Sequence, residues 1–77
     1  MTLCFVLMQI KAGFVEKVVR KLNEIKEVKE TYAVTGGIDI IVKVEGIDVE
    51  TIAKTILAKI HNIEGVERTE THIVVPL

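Results

Sequence analysis

The spacing of apolar residues changes period several times between Thr2 and Val75, and each change marks a boundary between elements. Thr2 to Ile10 is a nearly unbroken apolar run with Val, Ile and Phe, ended by the break at Gly13, which predicts a strand rather than a helix start. From Phe14 to Lys26 the apolar positions Phe14, Val15, Val18, Val19, Leu22 and Ile25 fall at helical spacing. Glu16, Lys17, Arg20, Lys21 and Glu24 take the opposite side, so this segment reads as an amphipathic helix. Alternation returns with Val28, Tyr32 and Val34, a second strand that the glycine pair Gly36-Gly37 ends. Ile38, Ile40, Val42 and Val44 give the third strand an apolar face. Asp39, Lys43 and Glu45 point the other way, Ile41 is the exception, and Gly46 closes the strand. Asp48 is placed as the N-cap of a second helix, where a carboxylate accepts from the free first-turn amides and suits the positive end of the dipole. Ile52, Ala53, Ile56, Leu57 and Ile60 form the expected buried stripe of that helix, which should stop near Asn62. Gly65 then precedes a last strand from Val66 to Val75, with Pro76 tolerated only because the strand is ending.

The order β-α-β-β-α-β, with short connections and no linker, predicts one domain over residues 1–77. Right-handed crossovers lead to a ferredoxin-like α+β fold, a four-stranded antiparallel sheet with two helices on one face. That leaves the other face uncovered, and the first strand is apolar on both sides. Leu3, Phe5 and Leu7 point one way while Cys4, Val6, Met8 and Ile10 point the other. One set packs on the helices; the other would be an exposed patch that soluble monomers seldom keep. A homodimer packed sheet to sheet is therefore expected, with larger assemblies open to it.

Composition narrows the class. A chain of 77 residues, 49% hydrophobic and 27% charged, is a small folded domain with room for one core. A net charge of −1 and a pI near 6.1 argue against a basic nucleic-acid surface, and Phe5, Phe14 and Tyr32 do not form a base-stacking platform. The N-terminal run has no basic flank or cleavage site, and Gln9 interrupts it too soon for a membrane span, so a cytoplasmic location is expected. Cys4 is alone, which excludes an internal disulfide and a cysteine-based zinc cluster. The chain has no serine, and Cys4 has no context of an activated nucleophile. His61 and His72 lack metal-pair spacing, and Asp39, Glu45, Glu67 and Glu70 imply no shared acid-base cleft. Lys17, Arg20 and Lys21 interleave with Glu16 and Glu24 as an ordinary solvated helix face. Neither catalysis, a metal nor a cofactor is expected.

The stretch Val34-Thr35-Gly36-Gly37-Ile38-Asp39 stands out against this background. Two glycines let another molecule approach the backbone, and Asp39 supplies an anion where the next strand begins, although Gly-Gly between apolar runs is also a plain hairpin turn. Read together with Ile63-Glu64-Gly65-Val66-Glu67-Arg68-Thr69-Glu70-Thr71, the segment Val28 to Val44 resembles the effector-sensing RAM domain of the Lrp/AsnC transcriptional regulators. The shared pattern is a strand ending in Val-Thr-Gly, an Asp shortly after, an apolar strand, a helix, and a Gly-Val followed by threonines. The resemblance covers essentially the whole chain. Full regulators of that family carry a helix-turn-helix before this domain, and the present sequence starts directly at the first strand, so it looks like a stand-alone RAM domain without direct nucleic-acid binding.

The resemblance implies dimers of face-packed sheets, assembled into rings, with a free amino acid held between neighbouring dimers. It places Thr35, Gly36, Gly37, Ile38 and Asp39 at the ligand: glycine backbone groups toward the α-carboxylate, Asp39 toward the α-ammonium. Thr69 and Thr71 would add hydroxyl contacts. Gly37 and Ile38 stand where many members have a bulkier or aromatic residue. The function expected is an amino-acid-binding regulatory module that buffers its effector or modulates full-length Lrp/AsnC regulators by mixed assembly. The alternative is a structural or adaptor oligomer without a small ligand. Acylphosphatase chemistry on the same fold would need an arginine-bearing phosphate loop that the chain lacks, and an ACT-type sensor fits the Val-Thr-Gly to Asp pattern less well.

Overall fold

The computed structural model describes residues 1–77 and orders them as β1 (Thr2–Ile10), α1 (Val15–Leu22), β2 (Val28–Ala33), β3 (Ile40–Gly46), α2 (Val49–Thr55) continued by a π-helical turn (Ile56–Ile60), and β4 (Val66–Ile73). The strands form one antiparallel sheet in the order β2-β3-β1-β4. This is the ferredoxin-like α+β fold that the alternation of periods predicts. Val6 stands opposite Val42 on one side and Thr71 on the other, so β1 runs through the middle of the sheet.

The helical layer decides which face of each strand is buried. Cys4, Val6 and Met8 of β1 and Ile40, Val42 and Val44 of β3 are fully buried beneath Val18 and Leu22 of α1 and Ile52 and Ile60 of the second helical segment. Each side chain removed from water in this way stabilises the fold by roughly 1.5–3 kcal/mol. No helix is long and apolar enough to cross a membrane.

Element boundaries shift where hydrogen bonding, which periodicity does not report, takes over. α1 stops at Leu22, not Lys26. Beyond it Glu24 and Ile25 donate to the carbonyls three residues back, Lys21 and Leu22, at 3.1 and 3.0 Å, and this tighter turn brings Ile25 against the core as the chain enters β2. β2 ends at Ala33 and β3 begins only at Ile40, because Val34 to Asp39 form a longer connection closed by Val34 N–H donating to the Asp39 carbonyl at 2.9 Å. β4 ends at Ile73, two residues before the expected Val75, although Val74 N–H still donates to the Leu3 carbonyl.

Asp48 is the N-cap expected of it: its backbone is extended and its Oδ1 accepts from Thr51 N–H at 2.8 Å. Ile52, Ile56 and Ile60 face the sheet, and His61 N–H reaches back five residues to the Ile56 carbonyl, so the coil widens into a π-turn. Ala53 and Leu57, expected in the buried stripe, are exposed, and Thr55 is buried instead. One line of residues seats the helix, and no element covers its outer flank.

On the uncovered face Leu3, Phe5 and Leu7 are half-buried rather than open, because side chains of the adjacent strands flank them. Phe5 lies between Lys43 and His72, and Leu7 between Ile41 and Glu70. Lys43 also pairs with Glu30 at 3.2 Å, and the Tyr32 hydroxyl donates to the same carboxylate.

Candidate ligand-binding site

The connection Val34 to Asp39 lies at the end of the sheet where β1 leaves and β4 enters. Gly36 has φ +116°, a left-handed value that a side chain would strain, whereas Gly37 has none; a Cβ on either would meet no atom within 4 Å. Both glycines therefore present bare backbone to open space. Two bonds tie this loop to β1. Gln9 Nε2 donates to the Gly37 carbonyl at 3.2 Å, and Ile10 N–H donates to Asp39 Oδ2 at 2.8 Å. The second bond falls where the β1–β4 register slips between Gln9 and Ile10, so a carboxylate satisfies an amide at an irregularity of the ladder. Asp39 is half-buried, its own N–H donates to the Met8 carbonyl at 2.9 Å, and its Oδ1 makes no hydrogen bond within the chain.

Beside the loop, on the uncovered sheet face, a shallow pocket of about 260 Å³ is lined by Leu7, Gln9, Ile38, Arg68 and Glu70. Ile38 and Leu7 supply apolar wall, and Arg68 and Glu70 supply opposite charges. Glu70 also meets His72 Nε2 at 2.6 Å. Arg68 carries no role in the sequence pattern, and Glu70 only that of an acid without a shared cleft. Strict alternation on β4 is the signal that finds them, since Arg68, Glu70 and His72 share the open face with Gln9, Leu7 and Phe5.

Thr69 and Thr71 belong to the other face. They line an apolar groove of about 470 Å³ between the second helical segment and β4, where Thr69 Oγ1 lies 2.6 Å from His61 Nε2. Thr35 to Asp39 and the two threonines thus do not share a cavity within one chain. Thr35 is exposed, Ile38 and Asp39 are half-buried, and all sit at the loop. Cys4 lies in the core, where burial pushes its thiol pKa up and keeps it from acting as a thiolate nucleophile.

A ferredoxin-like module with a bare sheet face, a glycine loop open to solvent and one half-buried carboxylate has the build of a small ligand-binding domain. The chain belongs to the Lrp/AsnC ligand binding domain family, whose family model matches residues 3–76. The HTH-type transcriptional regulator FL11 of Pyrococcus furiosus is 39% identical over 72 residues, covering 94% of this chain and 47% of that protein. The chain spans about half the length of the curated relatives it matches. The crystal structure of FFRP-DM1 shares 37% identity with a TM-score of 0.93 over 97% of this chain and 100% of that one. AsnC of E. coli shares 28% identity with a TM-score of 0.92 over 99% of this chain and 52% of that one. At 19% identity and a TM-score of 0.86, the regulator NMB0573 of Neisseria meningitidis, solved as a complex with L-Met, shares the fold over 97% of this chain and 50% of its own.

Proposed function

We propose that this domain binds a free amino acid at the glycine loop, between protomers of a homo-oligomer, and acts as a regulatory module in the cytoplasm. The observation that carries the reading is the pairing of bare backbone at Gly36 and Gly37 with a half-buried Asp39 whose Oδ1 is uncommitted. A zwitterion would be held at both ends. Its α-ammonium donates to Asp39, its α-carboxylate meets loop backbone groups, and charge-assisted bonds of this kind are short and directional. Ile38 and Leu7 offer the side chain an apolar wall. Thr69 and Thr71 would come from a second protomer, since within one chain they face the helices. L-Met, found with a protein of the same fold, makes free amino acids the first ligand class to test.

Two protomers would pair through the uncovered sheet faces, and dimers would assemble further into rings. An effector shifts such an equilibrium only as far as it prefers one state, so control requires tighter binding to one assembly than another. Full-length Lrp/AsnC regulators would be partners in mixed assemblies. This reading concerns the ligand-binding domain and does not depend on an attached DNA-binding segment.

A structural or adaptor role without ligand is favoured by one feature: Ile10 N–H and Gln9 already tie the loop down. Thermal unfolding in the presence of each of the twenty amino acids separates the two. A ligand that binds only the folded state at about a hundred times its Kd stabilises by roughly 2.7 kcal/mol. Raised Tm with one or a few amino acids supports the sensor; an unchanged Tm across the panel supports the adaptor.

A further inference from the structure

Where α1 meets the end of the second helical segment, on the layer away from the bare sheet face, lies a pocket of about 510 Å³. Lys17, Lys21, Lys59, Asn62, Ile63 and Glu64 line it. In the sequence Lys17 and Lys21 belong to a solvated helix face. The fold adds Lys59 from a second element, so three ammonium groups share one concavity with a single carboxylate, on a chain whose net charge is −1. Lysines in the last turn of a helix complement its dipole, which accounts for Lys21 and Lys59 one at a time. It accounts neither for Lys17, near the start of α1, nor for the convergence of all three. Lys59 also lies within the π-turn Ile56–Ile60, and such turns are rare and frequent at functional sites. Just past that turn the Asn62 side-chain amide donates to the Ala58 carbonyl at 2.8 Å, which fixes this wall, and Ile63 packs against the core beneath it.

We propose that this pocket is a second ligand site, separate from the glycine loop, and that it binds a small molecule carrying a pyrophosphate group. Lysine is a mobile point charge with three donors, suited to phosphate oxygens, and ammonium groups on two helical segments match two linked phosphates better than one. The lysines are available at small cost. Lys21 has no ion-pair partner within the chain. Lys17 meets Glu64 at 2.5 Å with both side chains largely exposed, and exposed pairs contribute little to stability. Lys59 meets Glu27 at 3.2 Å, and that carboxylate keeps its own backbone amide as a partner when Lys59 turns to a ligand. The volume suits a small molecule. Glu64 and Glu27 interrupt the basic surface, unlike the continuous stripe that a nucleic-acid backbone requires.

Calorimetric titration of the purified chain with inorganic pyrophosphate, ADP and orthophosphate, at matched ionic strength, is the test. Saturable binding of pyrophosphate or ADP, at least about tenfold tighter than orthophosphate, is expected. Tighter binding of ADP identifies a nucleotide as the source, and equal binding assigns recognition to the pyrophosphate alone. Lys21→Ala and Lys59→Ala should each weaken binding by about tenfold, the loss of one charge-assisted contact, with unchanged circular dichroism spectra. Glu64→Gln, which releases Lys17, should tighten it. Lys54→Ala removes a lysine of the same helical segment outside the pocket and should change nothing. No saturable heat with pyrophosphate or ADP, or equal weakening by Lys54→Ala and Lys21→Ala, overturns the site. Asp39→Asn should leave pyrophosphate binding intact, so this site and the amino-acid site stand or fall independently.

Discussion

Asp39 combines two tasks, and they come apart by substitution. One oxygen holds the Ile10 amide at 2.8 Å; the other has no hydrogen-bond partner within the chain. Asp39→Ala leaves that part-buried amide without its partner and should lower stability by about 1–3 kcal/mol in chemical denaturation. Asp39→Asn keeps an acceptor for Ile10 and should lose much less, while removing the charge that would hold an ammonium. The glycines differ in a similar way. At Gly65, φ is +98° and a Cβ would stand 2.5 Å from Phe14 Cβ, so Gly65→Ala should lower Tm clearly, whereas Gly37→Ala, with ordinary φ and open space, should leave it nearly unchanged. The sequence does not reveal which of these glycines needs a positive φ. It singled out Asp39 for its charge beside a turn, but its bond to Ile10 depends on a slip in the β1–β4 register that no spacing reveals.

The elements themselves were legible because each buries one face, and periods of two and 3.6 residues record that burial directly. Asp48 was legible as an N-cap by type and place, and Asp48→Ala should lower Tm. The outward turn of Leu57 was not, because the pattern shows that a side chain is apolar and not whether anything packs on it. Paired or hydrogen-bonded carboxylates also link stability to pH. The pKa of Asp48 is held down by the Thr51 amide, that of Glu27 by its own backbone amide and then Lys59, that of Glu30 by the Tyr32 hydroxyl and then Lys43, and that of Glu64 by Lys17. Folded values below the unfolded ones mean that the unfolded chain takes up protons first as pH falls. The stabilisation is therefore complete above the ordinary carboxylate range, near pH 4, and is lost as pH falls through the depressed folded values. A series of melts from pH 7 downward should show a flat Tm and then a decline through and below that range; a Tm that stays flat below it would contradict the linkage.

At the scale of the whole molecule, a 77-residue chain that places one sheet face against its helices leaves the other uncovered. An uncovered apolar face was legible in the sequence, since β1 is apolar on both sides, but only the burial of Cys4, Val6 and Met8 beneath the helices shows that Phe5 and Leu7 lie on it. The ring of Lys43, Glu70, His72 and Arg68 around them became visible only with the strand order, which sets β3 and β4 on either side of β1. The candidate site was legible as a loop. Its wall was not, because Arg68 and Glu70 come from a strand distant in sequence, and Thr69 and Thr71, next to them in the chain, face the opposite layer. Family membership and the free Asp39 oxygen converge on amino-acid binding as the central claim. Calorimetric titration of the twenty amino acids into wild type and Asp39→Asn, side by side, tests it most directly. Saturable heat with one or a few of them, absent in Asp39→Asn while that variant remains folded and retains the wild-type mass, is the expected result. Silence across the panel, or equal heat in both proteins, would contradict it.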